Sequence, residues 1–277
     1  MNKLAIIIPH KNNNKLLFKC LESIQTKTSF KNYHVYIADT GSEKEKLLEL
    51  QSFLKDNFSK DKNATLISFD YYNFAKINNL VVEHFVKDEQ LILFCNNDIE
   101  LIDDCITKGV ELWESNPDYF GTIGFKLLFE DDTIQHAGQI MLLTKDGPNY
   151  TIYKNGLGLT HRGLRQNVNN YNASEPVVGN TGALMLTSKK LFLEIGKFNE
   201  AYQDCFEDVE YNIQCLLKNK QNTYIPLKAR HYESQTRNLD QTKNYKQSQD
   251  ALNYLIPFVN KHANQLANLN LSTIIKQ

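Results

Sequence analysis

The fold is decided by the stretch LAIIIPHKNNNKLLFKCLESIQTKTSFKNYHVYIADTG, residues 4–41. It opens with a continuous apolar run at residues 4–8, the pattern of a strand that is buried on both faces. Apolar side chains then recur at helical spacing over residues 16–24, and a second strand-like run occupies residues 33–38. A strand, a helix and another strand in this order predict a right-handed βαβ unit with parallel strands.

The same alternation continues as far as residue 125. Further strands are predicted at residues 65–69 and 91–95, and further helices at residues 43–58, at residues 74–85 and from Asp103 onward. Four such units predict an α/β protein with a Rossmann-like, mostly parallel sheet and flanking helices. Ligands of such sheets bind beyond the C-terminal ends of the strands, where polar residues follow each predicted strand of this chain.

The pattern changes after residue 125. We expect strands at residues 120–125 and 133–141, an apolar segment at 177–186, helices at 189–195 and 206–218, and a strand from residue 224 to residue 231. Residues 144–175 are polar and rich in Asn, Gly and Tyr, and predict a loop with too few apolar residues to pack a core. Residues 240–275 predict a helical tail, so we divide the chain into one domain at 1–237 and a C-terminal helical appendage at 238–277.

The composition argues against several classes of protein. The chain has 31 Lys and Arg against 32 Asp and Glu, a net charge of −1, which argues against a nucleic-acid-binding protein. Five widely spaced cysteines predict free thiols in a reducing compartment. No window reaches the roughly 20 apolar residues of a membrane span. This predicts a cytoplasmic protein, with peripheral contact to the inner face of the membrane as a further option.

Asparagine is unusually common, with 31 residues in a chain of 277, so motifs that contain Asn arise easily by chance. Asn96, Asn97 and Asp98 follow the fourth predicted strand. A carboxylate at this edge of a parallel sheet can bind a hard divalent cation, which in turn holds a diphosphate. The alternative is an ordinary polar turn, and the position after the fourth strand strengthens the first interpretation.

Three acidic residues, Glu207, Asp208 and Glu210, begin an amphipathic helix. They can serve there to balance the helix dipole and to cap free N–H groups. Alternatively, one carboxylate points into the cleft as a general base, with a pKa lowered by the helix N-terminus. His231 is either a structural histidine or a ligand of Mn²⁺. Residues 179–183 are small, and form either a tight turn or a place where the backbone closely approaches a ligand.

In this order the motifs resemble those of family 2 glycosyltransferases with the GT-A fold, from about residue 4 to residue 237. The pieces that carry the resemblance are IIIPHKN at residues 6–12, ADTGS at 38–42, YYNFAKINN at 71–79, LFCNNDIEL at 93–101, GFKLLFEDDTIQHAG at 124–138, VVGNTGALMLTSKKLFLEIGKFNEAY at 177–202, CFEDVEYNIQCLLKN at 205–219 and HYESQTR at 231–237. Each piece alone is only weakly similar to the family's motifs, but eight pieces in the correct order are specific for the family.

The resemblance implies a nucleotide-sugar pocket at the first three strands. Asp39 resembles the aspartate that hydrogen-bonds the nucleotide base, and Pro9 and His10 lie where the first strand meets the nucleoside. Asn73 and Asn78 fall in the segment that lines this pocket.

The resemblance also implies a metal and a base. The triplet at residues 96–98 stands in place of the family's DxD motif, with Asp98 as the direct metal ligand and Asn96 in place of the first acid. Glu207 and Asp208 match the ED motif, in which the aspartate is the usual catalytic base. His231 matches a histidine that joins the metal site in several members of the family.

The implied reaction is inverting transfer of a sugar from a UDP- or dTDP-sugar to a hydroxyl of a glycan or lipid-linked saccharide. It would require Mn²⁺ or Mg²⁺ and would belong to bacterial surface-polysaccharide synthesis. One alternative is a nucleotidyltransferase, but residues 9–15 lack the glycines of a phosphate-binding loop. The other is a catalytically silent module that binds nucleotides or glycans, against which the presence of Asp98 and Asp208 argues.

The acceptor side is the least determined. Five residues of the polar segment form either a lid or acceptor surface, or part of a disordered loop: Tyr150, Tyr153, His161, Arg162 and Tyr171. The tail around residues 252–259 has few Lys or Arg, so we expect it to pack or to form a dimer contact rather than to touch a membrane.

Overall fold

The computed structural model describes residues 2–58, 63–152, 158–203, 205–232 and 241–277, and the side chains of 241–245 are outside the description. The first part contains β1 (Leu4–His10), α1 (Asn14–Lys27), β2 (Tyr33–Asp39), α2 (Lys44–Phe58), β3 (Ala64–Ser68), α3 (Phe74–His84), β4 (Leu91–Cys95), β5 (Ile99–Leu101) and α4 (Cys105–Ser115). The second part contains β6 (Phe120–Leu128), β7 (Ile134–His136), β8 (Gln139–Asp146), β9 (Asn149–Ile152), β10 (Leu159–His161), β11 (Glu175–Pro176), β12 (Leu184–Ser188), α5 (Lys189–Ile195), α6 (Glu207–Leu217) and β13 (Gln221–His231). The C-terminal part contains α7 (Gln241–Asp250), a π-helical turn (Ala251–Leu255), α8 (Ile256–Ala267) and β14 (Ile274–Lys276).

The main sheet has the order β11-β13-β6-β12-β4-β1-β2-β3 within the described residues, with β5 paired to β13 and β7 paired to β6. Strands β4, β1, β2 and β3 are parallel, as predicted, and β12 is inserted antiparallel between β4 and β6. The apolar run of β1 is continuous because both faces are covered. Ile6 and Ile8 pack into the core cluster that contains Leu17 and Val110, and Ile7 packs into the cluster that contains Val81.

A second, smaller sheet has the order β10-β8-β14, with β9 paired to β8. Its inner face packs on α6 and on the C-terminal helices through Met141, Ile152, Ile213 and Val259, all of which are fully buried. This sheet therefore joins the C-terminal part of the chain to the rest. The division at residue 237 stays a prediction.

The structure corrects three predictions for the second half of the chain. The strand predicted at residues 133–141 is two strands, β7 and β8, because Gly138 turns the chain with φ +91°. The polar segment at 144–175 contains part of β8 together with β9, β10 and β11 rather than a long loop. The helical tail ends in a strand, β14, which pairs with β8. Tyr153 lies outside the described residues.

A buried lysine fixes part of the polar segment. Lys126 lies in β6 with 1% of its surface exposed. Its ammonium donates to the carbonyls of Val168 and Asn170, both at 2.8 Å, and to Asn172 Oδ1 at 2.6 Å. Burial lowers the pKa of Lys126, and these three acceptors replace the lost hydration in part.

We expect Lys126→Met to lower the free energy of unfolding by about 3 kcal/mol, because it removes the three part-buried hydrogen bonds that hold residues 168–172 to β6. Chemical denaturation measures the change. The matched control is Lys108→Met, since Lys108 is exposed and its ion pair with Glu111, at 2.8 Å, lies on the surface. That variant should lose less than about 1 kcal/mol. Equal losses in the two variants would contradict an anchoring role for Lys126.

None of the helices in the described ranges combines the length and apolar character that a membrane span requires. The five cysteines are free thiols, and four of them are buried.

Candidate active site

Several of the predicted site residues lie at one edge of the main sheet, where β1, β2 and β4 end side by side. His10 and Asp39 are register partners on β1 and β2. Strand β4 ends directly before the triplet at residues 96–98. His231, the last residue of β13, lies opposite Ile99 of β5. The strand order therefore places residues from four distant parts of the sequence at one edge of the sheet.

Asp39 has a carboxylate oxygen that can accept a hydrogen bond from a ligand. The residue is 3% exposed, and its Oδ2 accepts from the backbone N–H groups of Gly41 and Ser42 at 3.3 and 3.2 Å. Oδ1 is buried and has no hydrogen-bond partner among the residues that the structure describes. Burying an acceptor without a hydrogen bond costs free energy, so a donor on a bound ligand would stabilise this oxygen.

His10 connects the first strand to the triplet. Its Nε2 and Nδ1 each lie 3.0 Å from a side-chain amide atom, Asn14 Oδ1 and Asn97 Nδ2 respectively. Since an amide oxygen only accepts and an amide nitrogen only donates, the ring carries its proton on Nε2 and is neutral. Burial lowers the pKa of His10, and the hydrogen bond to Asn14 and the charge of Asp39 oppose this.

Asp98 and His231 form a candidate metal site. Nδ1 of His231 lies 2.7 Å from Gln135 Oε1, an atom that only accepts, so Nδ1 carries a proton and Nε2 of the neutral ring carries a lone pair. This Nε2 lies 3.1 Å from Asp98 Oδ1 and 3.3 Å from Asn96 Nδ2. No described residue donates a hydrogen bond to Asp98 Oδ1, which is buried. With His231 neutral, two acceptors face each other at 3.1 Å, where a shared cation would stabilise them; with His231 protonated, the same two atoms form an ion pair.

The two side chains fit a hard divalent cation. Neighbouring ligands of an octahedral ion with bonds of about 2.1 Å lie about 3 Å apart. The observed separation of Asp98 Oδ1 and His231 Nε2, 3.1 Å, matches this value. Within the described ranges, no group of three or more His, Cys, Asp or Glu side chains could hold a metal ion. The chain would therefore supply Asp98 and His231, and a substrate and water would supply the remaining ligands.

The loop at residues 179–183 links Asp208 to the same edge of the sheet. The backbone N–H of Gly182 donates to Asp208 Oδ2 at 2.7 Å, and the carbonyl of Ala183 accepts from the N–H of Asn96 at 2.9 Å. A Cβ atom on Gly182 would lie 3.3 Å from Asp208 Cβ, so glycine permits the close contact. One loop therefore connects the carboxylate at the start of α6 to the triplet after β4.

Burial raises the pKa of Asp208, which corrects the prediction that the helix N-terminus would lower it. The hydrogen bond from Gly182, the charge of His161 and hydrogen bonds from Val209 and Thr181 oppose the increase. The loss of hydration outweighs them, because fixed dipoles replace the water around a carboxylate only in part. A raised pKa makes Asp208 a stronger base than an ordinary aspartate.

This shift predicts the acid side of the pH–rate profile. A carboxylate accepts a proton only when it is ionised, so activity that depends on Asp208 is present above its pKa and is lost as the pH falls through that value. Because the pKa is raised, we expect kcat to fall at a pH above about 4, the range of an ordinary aspartate. Measurement of kcat against pH, with circular dichroism to verify folding, tests this. A constant kcat down to pH of about 4 would contradict it.

The other predicted residues are buried or hydrogen-bonded within the fold. Pro9 is buried in β1, and Glu207 is buried as the first residue of α6. Asn73 caps α3 through its Oδ1, and its Nδ2 donates to the Tyr202 carbonyl at 2.9 Å. Asn78 is fully buried and donates to a carbonyl of its own helix at 2.8 Å. Their roles in ligand binding stay predictions.

Sequence reasoning missed Gln135, which fixes the ring of His231, and His136, which is fully buried beside the loop at 179–183. Both lie in the motif at residues 124–138, where they read as ordinary positions of a strand. Their membership of that motif was the available signal.

Solved structures share this fold. GalNAc-T7 with UDP, GalNAc and Mn²⁺ superposes with a TM-score of 0.65 at 13% identity, over 84% of this chain and 44% of that one. The mannosyltransferase PcManGT from Pyrobaculum calidifontis, in complex with GDP-Man and Mn²⁺, gives 0.60 at 10% identity, over 98% and 66%. TarS from S. aureus gives 0.58 at 15% identity, over 96% and 73%. At these identities the likeness shows the fold, which is GT-A.

The sequence defines the family. The profile of Glycosyl transferase family 2 matches residues 5–191, well over half of the chain. The chain therefore belongs to glycosyl transferase family 2, and the predicted family and fold are confirmed.

Two curated relatives are much longer than this chain. The O-antigen biosynthesis protein RfbC of Myxococcus xanthus is 26% identical over 245 residues, which are 86% of this chain and 18% of that protein. The uncharacterized protein y4gI of Sinorhizobium fredii (strain NBRC 101917 / NGR234) is 26% identical over 249 residues, 86% of this chain and 25% of that protein. The chain thus spans a quarter or less of the length of each.

Proposed function

We propose that the chain is a metal-dependent, inverting glycosyltransferase of the hexosyl type, which moves a sugar from a UDP- or dTDP-sugar to a hydroxyl of a glycan or lipid-linked saccharide. One observation carries the proposal. The loop at residues 179–183 hydrogen-bonds both Asp208 and Asn96, so a candidate base lies beside a candidate metal and diphosphate site.

The donor would bind along the ends of β1, β2 and β4. Asp39 Oδ1 is suited to accept a hydrogen bond from a pyrimidine base, because it is buried and has no acceptor role within the described structure. His10 and Asn97 lie between the base site and the metal site, where they would contact the nucleoside. Hydrogen bonds join His10 to Asn14 and to Asn97, so both the ring and the Asn97 amide would already be in position when the donor binds.

Asp98 and His231 would hold Mn²⁺ or Mg²⁺, and the ion would stabilise the charge of the departing diphosphate. Gln135 Oε1 accepts a hydrogen bond from His231 Nδ1–H, which would leave Nε2 of the neutral ring to face the ion. Asn96 contributes an amide where the family motif has its first acid, so the chain brings less negative charge to the ion. We expect weaker metal binding than with two carboxylates.

Asp208 would act as the general base. It removes the proton of the acceptor hydroxyl as that oxygen bonds to the anomeric carbon, and the bond from this carbon to the diphosphate oxygen breaks on the opposite face. The products are a glycoside of inverted configuration and a nucleoside diphosphate. The raised pKa of Asp208 favours proton transfer from a weakly acidic hydroxyl.

The name of one relative supports a biological setting for the proposed reaction. RfbC is named for O-antigen biosynthesis, and this chain matches a segment of it. A role in the synthesis of bacterial surface polysaccharide is consistent with that name. We propose that the reaction takes place in the cytoplasm or at the inner face of the cell membrane, where the acceptor is a glycan or a lipid-linked saccharide.

A screen of nucleotide sugars tests the proposal. The purified chain is incubated with UDP-, dTDP- and GDP-sugars, with octyl hexosides as acceptors, in Mn²⁺ or in EDTA, and nucleoside diphosphate release is measured. We expect release from a UDP- or dTDP-sugar that EDTA suppresses. Binding of UDP without release from any donor would identify a silent module. Formation of pyrophosphate from a nucleoside triphosphate and a sugar phosphate would identify a nucleotidyltransferase.

A further inference from the structure

Two histidines from different strands are in direct contact next to the candidate base. His136 ends β7 and is fully buried, and His161 ends β10 and is exposed. Their Nδ1 atoms lie 2.7 Å apart, and the ring centroids 4.9 Å apart at an angle of 75°. A nitrogen–nitrogen distance this short requires one proton between the two rings.

The position of that proton follows from the partner on the other side of His136. The backbone N–H of Thr181 points to His136 Nε2, at 3.4 Å, and an N–H group can only donate. Nε2 of His136 is therefore an acceptor, and the ring carries its proton on Nδ1. His161 Nδ1 must then accept, so the proton of His161 is on Nε2.

The pair is held beside Asp208 by consecutive amides of one loop. The N–H of Thr181 points to His136, and the N–H of Gly182 donates to Asp208 Oδ2 at 2.7 Å. These contacts link His161 to Asp208 through His136 and two adjacent residues of one loop, so the histidine pair and the carboxylate border the same segment.

A buried arginine holds His161 in place although the ring is exposed. Arg162 is 6% exposed, and its Nε donates to the Ala137 carbonyl at 2.7 Å. Its backbone N–H donates to the Gly138 carbonyl at 2.8 Å, and its guanidinium lies 2.8 Å from Glu175 Oε1. The end of β10 is thus tied to the turn between β7 and β8, so both rings belong to one rigid corner.

We propose that His161 binds the acceptor: its Nε2–H donates to the hydroxyl next to the one that Asp208 deprotonates, and His136 is the positioning residue that fixes the ring. This inference rests on the proposed function and names its acceptor chemistry. The pair favours a neutral sugar with adjacent hydroxyls over a phosphate or carboxylate. A protonated His161 would carry a hydrogen on Nδ1, which would face the Nδ1–H of His136, so the contact disfavours the protonated form of His161.

The tautomers can be measured without a substrate. Long-range ¹H–¹⁵N NMR spectra of the full chain should show His136 protonated on Nδ1 and His161 protonated on Nε2. His136→Leu should release His161 to a mixture of tautomers, and His136→Asn should restore the Nε2–H form, because the Asn amide can donate from the position of Nδ1. A mixture of tautomers at His161 in the wild-type chain would overturn the positioning role.

The acceptor role is tested by kinetics with octyl hexosides. His161→Phe should raise KM for the octyl hexoside by roughly five- to tenfold, the effect of one lost hydrogen bond between neutral groups. The dissociation constant of UDP with Mn²⁺, measured by calorimetry, should not change. His161→Gln should retain most of the affinity for the acceptor, because its amide keeps a donor. His84→Ala, an exposed histidine at the end of α3, is the matched control.

Two outcomes overturn the acceptor role: an unchanged KM in His161→Phe, or a loss of UDP affinity equal to the loss of acceptor affinity. The failure of the proposed function is distinct, because it would be seen in the wild-type chain as the absence of nucleotide release from every donor. That result would remove the acceptor role as well.

Discussion

Asp208→Asn is expected to lower kcat by about 10²- to 10⁴-fold, the usual contribution of a general base. Asparagine retains an oxygen that can accept a hydrogen bond from the N–H of Gly182, so the loop at residues 179–183 should keep its position. The affinity for UDP in Mn²⁺ should change little, because Asp208 is not among the groups that would hold the donor. Initial rates of nucleotide release and calorimetry with UDP measure the two effects.

The matched control is Glu210→Gln on the same helix. Glu210 also belongs to the first turn of α6, but its carboxylate accepts from Tyr202 Oη at 2.7 Å and from Asn199 Nδ2 at 3.2 Å. Glu210→Gln removes the same charge from the start of the helix as Asp208→Asn does, but it leaves the proposed base in place. The rate of this variant should therefore remain within a few fold of the wild-type rate. A similar rate loss in both variants would assign the effect to the helix dipole rather than to a base. Turnover retained in Asp208→Asn would remove Asp208 from the role.

Asp98→Ala is expected to abolish the dependence of nucleotide binding on metal. In the wild-type chain, Mn²⁺ should strengthen the binding of UDP, because Asp98 and His231 would hold the ion and its charge would attract the diphosphate. Loss of the partners of metal ligands alone lowers metal affinity by roughly 10- to 100-fold, so loss of a ligand should be at least as large. Calorimetric titration of UDP with Mn²⁺ and with EDTA measures the difference.

Two comparisons make this result specific. Asp118→Ala removes an exposed carboxylate outside the site and should bind UDP as the wild type does in both conditions. His231→Ala should weaken metal-dependent binding in the same direction as Asp98→Ala. If Asp98→Ala and the wild type bound UDP equally well in Mn²⁺, Asp98 would not be a metal ligand.

Much of the parallel half of the fold could be predicted from the sequence, because its signals are local. A strand that is buried on both faces must be continuously apolar, and β1 and β4 have this pattern over all their residues. Helices α1 and α3 repeat apolar residues at helical spacing. Since the C-terminal ends of parallel strands meet at one edge, Asp39 and Asp98 could be placed near each other before the structure was known.

The second half depends on contacts between distant residues, which periodicity does not report. Strand β8 pairs with β14, which lies more than 120 residues later in the sequence. The segment at 144–175 looked too polar for a core, but part of it forms a second sheet whose apolar side chains pack on the C-terminal helices. Lys126 is a charged residue in an apolar strand, and its partners at residues 168–172 become visible only in three dimensions.

The same reasoning explains which site residues could be predicted. Asp98, Asp208 and His231 belong to family motifs and to residue types that carry chemistry. Gln135 and His136 act through the rings of His231 and His161, and an interaction of this kind leaves no pattern in a single sequence. The helix-dipole argument for the pKa of Asp208 was wrong because it omitted burial, the larger effect.

The central claim is that Asp208 acts as the base of a single displacement at the anomeric carbon. The most direct test is the anomeric configuration of the product, read from the ¹H NMR coupling of the transferred sugar after reaction with a UDP-sugar of known configuration. We predict inversion, which gives a β-linked product from an α-linked donor. A product that keeps the configuration of the donor would contradict the claim, because one displacement cannot retain it.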